Sequence, residues 1–238
     1  MLRLTLYFIL IFVRYADAET AILKATRDNT LYETKDGSIS NGAGSYIFAG
    51  STGANGVRRI LLHFDLSSIP QDAKIKTAIL SLHMNKSKAG SVLISVHRLL
   101  SDWGEGSSAG DGGEGLGAIA TIDDATWLYA FYDKTRWKIP GGDFIPQNSA
   151  EETVIDEGWY EWRGDSLKGD VESWIKSPGE NFGWIILGDE TKSPTAKRFI
   201  SRNSNDHDFH PRLTVEYSSN SPTPIKNTPW SRIKAKKN

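Results

Sequence analysis

Six arginines and two lysines fall where a β-rich chain could bring them to one face. Arg58 and Arg59 open one alternating apolar run, Lys197 and Arg198 open another that ends at Arg202, and Arg212 begins a third. Lys24 and Arg27 lie close to position 19 and could join them. A guanidinium group places two parallel hydrogen bonds on a carboxylate, which is the chemistry needed to hold a uronic-acid polymer. The same residues also suit solvated strand ends and internal salt bridges with the many Asp and Glu.

Aromatic rings supply the second half of a sugar-binding chemistry, since flat rings stack on the apolar faces of pyranoses. The chain has 8 Trp, 8 Tyr and 9 Phe, so rings are not scarce. Trp103 and Tyr160 are the first candidates for a ligand face, with Trp127, Trp137, Trp159 and Trp162 also in or beside loops. Trp174 and Trp184 sit in core-facing patterns, and a core or loop-anchoring role competes at every one of these positions.

Metal and catalytic chemistry find less support. Glu105, Asp111 and Glu114 offer oxygen ligands of the kind calcium wants, but their spacing matches no EF-hand loop, so no cofactor is expected. His63, His83 and His97 lie on three consecutive strand-like runs and would approach one another only if those strands were neighbours. His207 and His210 share a loop but have no obvious third ligand. A lyase would need a cation and a base such as Tyr46 or Tyr160, and a glycosidase would need two facing carboxylates. No particular set is marked, so binding without catalysis is the expectation, and a weak lyase or hydrolase is the alternative.

The elements that must position these residues read as β throughout. In 59–66, Ile60, Leu62, Phe64 and Leu66 point one way, and Arg59, Leu61, His63 and Asp65 point the other. The runs 75–84, 91–100 and 212–217 alternate in the same manner, while 184–187 is continuously apolar and suits a central strand buried on both faces. One helix stands out, capped at Asp165 or Ser166, with Leu167, Val171, Trp174 and Ile175 on one face and Pro178 and Gly179 at its end. The predicted fold class is all-β, a jelly-roll β-sandwich with one short amphipathic helix. The glycine-rich stretch 104–117 is expected to be a long exposed loop.

The ends differ from the body. Arg3, an apolar stretch at 4–13 and Ala16-Asp17-Ala18 form a signal-peptide pattern over 1–18, and ten apolar residues are too few for a transmembrane segment. Secretion is therefore expected, and the absence of cysteine leaves a body at 19–218 held by its core alone. That body carries 21 Lys and Arg against 28 Asp and Glu, a poor balance for binding nucleic acid. The segment 219–238 is rich in Pro and Ser, then basic, and reads as a disordered tail suited to cell-surface or matrix association. An extracellular structural or adhesive protein is the rival expectation.

Several short segments in fixed order add a resemblance. They are DNTLYE (28–33), SISNGAGSYIFAG (38–50), RRILLHFDLSSIP (58–70), SDWGEG (101–106), DATW (124–127), WKIPGGDF (137–144), DVESWI (170–175), NFGWIILGDE (181–190), TAKRF (195–199) and PRLTVEY (211–217). Together they resemble the DNRLRE domain, carbohydrate-binding module family 96, across most of 19–218. The resemblance implies a jelly-roll module of extracellular proteins, often attached to polysaccharide-degrading enzymes and in some members alginate-binding. It implies no catalytic residues.

Overall fold

The computed structural model describes residues 18–54 and 56–219, so the predicted signal peptide, apart from Ala18, and the basic tail, apart from Ser219, lie outside the described residues. In chain order the strands are β1 (Ala18–Tyr32), β2 (Ile39–Ser40), β3 (Tyr46–Ser51), β4 (Val57–Phe64), β5 (Lys74–Ser87), β6 (Val92–Arg98) and β7 (Ala118–Ile119). They continue with β8 (Tyr129–Phe131), β9 (Thr135–Arg136), β10 (Ala150–Val154) and β11 (Gly158–Arg163), then helix α1 (Asp165–Lys176). The chain closes with β12 (Trp184–Leu187), β13 (Lys197–Ile200) and β14 (Arg212–Ser218). The all-β class holds, and no helix among the described residues is long and apolar enough to cross a membrane.

Strands β1 and β3 each switch partner partway along their length, and this closes the sheet into a barrel-like ring. The first half of β1 pairs with β14, and after a bulge between Ala25 and Arg27 its second half pairs with β4. Strand β3 pairs with β13 through 46–49 and with β4 through 50–51. The circuit β1-β14-β5-β13-β3-β4 therefore returns to β1, with β12, β6 and β10 continuing outward from β4 and β11 added to β5. All these pairings are antiparallel, and a bulge lets one long strand turn between directions without losing its ladder.

The interior follows the predicted alternation. Ile60, Leu62 and Phe64 meet Leu80, Leu82 and Met84, and Ile94, Val96, Leu213 and Val215 complete the main core. Helix α1 sets Leu167, Val171, Trp174 and Ile175 against it, with the Trp174 and Trp184 rings 4.7 Å apart. Its N-cap is Gly164 and not Asp165 or Ser166; glycine tolerates the φ of 147° there, and no side chain caps the end. Asp165 sits instead in the first turn, where a negative charge favours the helix dipole.

A second core lies on the other face of β4. Leu61 points away from the main core, as its alternation predicts, and with Leu31 and Ile185 it is covered by Leu99, Trp103, Ala125, Trp127, Ala130 and Trp137. The glycine-rich stretch 104–117 is exposed in part, as expected, at 111–113 and Leu116, but its first residues belong to that covering layer and pack closely. A Cβ on Gly104 would lie 1.8 Å from Asp123 O, and Gly106, at φ 74°, has Asp124 where a Cβ would go. The glycines are there for close backbone approach, which composition alone cannot distinguish from mobility.

Asn29 ties this layer down. Its Nδ2 donates to Ser40 Oγ and Glu105 O, both at 2.9 Å, and its Oδ1 accepts the N–H groups of Thr30 at 2.6 Å and Asn41 at 3.1 Å. The side chain is wholly buried, so each lost bond strands a partner away from water. Asn29→Ala is expected to lower stability by about 3 kcal/mol or more, read from the midpoint of urea denaturation. A cost near that of an ordinary surface substitution would show that the layer is held elsewhere.

Candidate functional site

The outer face of β5, β13 and β3, continued by Arg58 at the start of β4, carries an open groove of about 810 Å³. Strand register puts Arg198 directly opposite Phe48 on one side and Lys86 on the other. Arg58 pairs opposite Gly50, and Lys88 follows just beyond β5. Asp111 and residues 113–117 form one rim with the exposed Leu116, and residues 52–54 with Gly56 form another.

The groove cations differ in how much they are already engaged. The Arg198 guanidinium lies 3.7 Å over the Tyr46 ring, its Nε donates to Asn85 Oδ1 at 3.0 Å, and its Nη groups have no acceptor among the described residues. Lys86 and Lys88 likewise find no ion-pair partner there. Arg58 is nearly buried, 4.4 Å over Tyr32, and donates to Val57 O and Gly115 O; burial lowers its pKa. Of the acids lining the groove, Glu114 is held by Ser45 N–H, Tyr46 N–H and Asn41 Nδ2, Glu33 accepts Val57 N–H, and Asp111 sits exposed on the rim.

The remaining predicted ligand residues do not join this face. Arg59 projects from the other face of β4, forks onto Glu190 with two bonds of 2.8 Å and stacks on Trp127. Arg27 pairs with Asp102 and stacks on Trp103. Arg202 pairs with Glu105 at 2.9 Å. Lys197 points inward, fully buried, and its Nζ donates to the carbonyls of Ala89, Gly90 and Ile155. Arg212 covers Trp159 on another part of the surface, with Lys24 opposite it in the β1–β14 register. Trp103 is wholly buried with Nε1 donating to Phe182 O, so it presents no ring to a ligand. The Tyr160 hydroxyl is taken up by Asp156 O and Ile155 N–H.

Sequence reasoning thus missed Lys86, Lys88 and Phe48. The signal was the alternation Lys86-Ser87-Lys88, which puts two cations on one face of a strand end. The histidines also separate. His63 and His97 lie on strands either side of β12, while His83 is on β5. His63 contacts Thr26 Oγ1, and burial first, then Arg27, pulls its pKa down to about 4. Among the described residues no group of three His, Asp or Glu is arranged to hold a metal. Glu105 and Glu114 are already spent on Arg202, Asp28 N–H and the backbone of β3. The chain matches no protein-family model, and no curated protein is significantly similar to it in sequence.

Asp28, beside Asn29, is a fully buried carboxyl that accepts Ser201 Oγ–H at 3.0 Å and Arg202 N–H at 2.6 Å. Burial outweighs those bonds and pushes its pKa up to about 7, with nearby Glu105 also raising it. Unfolded, the same group ionises near 3.8. Its contribution is therefore full below about pH 4 and is lost as pH rises through 7. Urea stability should fall by about 2 to 4 kcal/mol between pH 5 and pH 8, and Asp28→Asn should flatten that slope. An unchanged slope in the variant would assign the dependence to another group.

Proposed function

We propose that this chain is a secreted, non-catalytic polysaccharide-binding module of the DNRLRE type, a jelly-roll relative of carbohydrate-binding module family 96, and that its groove takes an anionic, uronate-containing glycan such as alginate. One observation carries the reading. Arg198 and Lys86 are cross-strand neighbours of like charge on a chain whose body is net acidic. Like charges directly opposite each other destabilise a sheet, so their retention without carboxylate partners fits a site kept for an external anion. The Arg198 fork is held flat on Tyr46, ready for bidentate contact with a carboxylate. Leu116, widely exposed on the rim, gives the same groove apolar surface for the faces of sugar rings, with Phe48 buried beneath it as part of the floor. The N-terminal signal pattern supports delivery outside the cell.

Affinity electrophoresis through gels containing alginate, pectin or neutral xylan tests the reading. Retardation is expected in an anionic gel, weakening with added salt as surface charges are screened. Arg198→Ala should cut affinity about tenfold, the scale of one charge-assisted bond pair. Lys86→Ala should weaken binding while raising thermal stability slightly, because it relieves a like-charge pair. Arg59→Ala should do the reverse, destabilising the fold and sparing the binding. Free migration of the wild type through every gel would sink the proposal.

A further inference from the structure

The groove does not end at Lys86. Along the outer face of β5 the next side chains are Asn85, already bonded to Arg198, and then His83. At a rise of about 3.3 Å per residue, His83 stands about 10 Å along the strand from Lys86. There three rings cluster: His83 lies 4.2 Å from Phe209 and 5.3 Å from Trp159, and Trp159 is 6.2 Å from Phe209. Trp159 and Phe209 are each 38% exposed. Single exposed aromatics need no explanation, but a contiguous cluster of them marks a contact surface.

The charges around the rings are mixed: Asp206 and Asp208 are exposed beside Phe209 and Glu157 acts on His83, while Arg212 and Lys24 supply the cations. The Arg212 guanidinium rests 4.1 Å over Trp159, with one nitrogen held by Asp208 O. Lys24 is its exposed cross-strand neighbour. Glu161, the nearest acid on β11, is paired with Arg163. An apolar ring beside a positioned guanidinium suits a sugar that carries a carboxylate on an otherwise apolar face.

We infer that His83, Trp159, Phe209 and Arg212 form a second subsite on the same track, so that one glycan chain runs along β5 from the cationic groove onto the aromatic shelf. This rests on the anionic-glycan reading of the groove. The groove holds carboxylates by charge, and the shelf takes the continuing rings by stacking, with Arg212 and Lys24 meeting their carboxylates. The protein then selects long chains over short ones, because only a long chain reaches both.

Calorimetric titration with alginate oligomers of defined length tests this, using a disaccharide and an octasaccharide. The wild type should bind the long oligomer about tenfold more tightly than the short one. Trp159→Ala should abolish that gain and leave the affinity for the short oligomer unchanged, and Trp159→Phe should restore most of it. Phe209→Ala, further from the sheet hydrogen bonds, gives the same readout if Trp159→Ala fails to fold. Long-chain affinity unchanged in both alanine variants, or lost equally for short and long oligomers, overturns the shelf. A wild type that binds neither oligomer overturns the groove reading and the shelf with it.

Discussion

The buried amide of Asn29 is the constraint from which the rest of the structure follows. It sits on the face of β1 that looks away from the main core, in a place where an unsatisfied polar group would cost more than most single contacts return. Its bonds reach β2, Asn41, the 105 segment and Ala125 O, which pins the long excursion between β6 and β10 over β4 and β12. Next in line, Asn41 holds Tyr46 O, Glu114 and Gly110 N–H. Glu114 in turn anchors the start of β3 and the rim of the groove. The groove rim is thus tied by a chain of buried polar bonds back to Asn29.

Charge pairing, more than charge number, shapes the surface. Arg27, Arg59 and Arg202 each spend their guanidinium on a carboxylate next to the second core, and their flat faces lie on or near the rings that fill it. Such partly buried pairs hold the covering layer in register, since losing one partner would leave the other charge stranded. Lys197 goes further and serves as an internal cation, drawing the turn after β5 and the turn after β10 onto the start of β13. Burial lowers its pKa, yet three carbonyl acceptors favour the ammonium form. What these pairings leave over is a short cationic row on β13 and β5.

The tryptophans divide in the same way. Trp162, Trp174 and Trp184 fill the main core, and Trp103, Trp127 and Trp137 fill the second, most of them with the indole N–H bonded to a backbone carbonyl or carboxylate. A large ring with one polar handle is the economical way to close a small core under a loop layer. Trp159, on the outward face of β11, is left partly at the surface, covered only by Arg212, His83 and Phe209.

The strands, the helix and the main core were legible in the sequence because alternation and the helical repeat are local, and each run of apolar residues reports its own buried face. Leu80, Leu82 and Met84, or Leu213 and Val215, needed no knowledge of their partners to be placed inside. The resemblance carried by the ordered segments reached the same class of fold. Leu61 and the glycines at 104 and 106 could not be read so, since what covers them comes from far along the chain. The arginines were the hardest case. Arg58 and Arg59 are adjacent and alike in sequence, but one faces a groove and the other a carboxylate more than a hundred residues away. Whether a charge is free depends on its neighbours in space, and only the closure of the ring decides those neighbours.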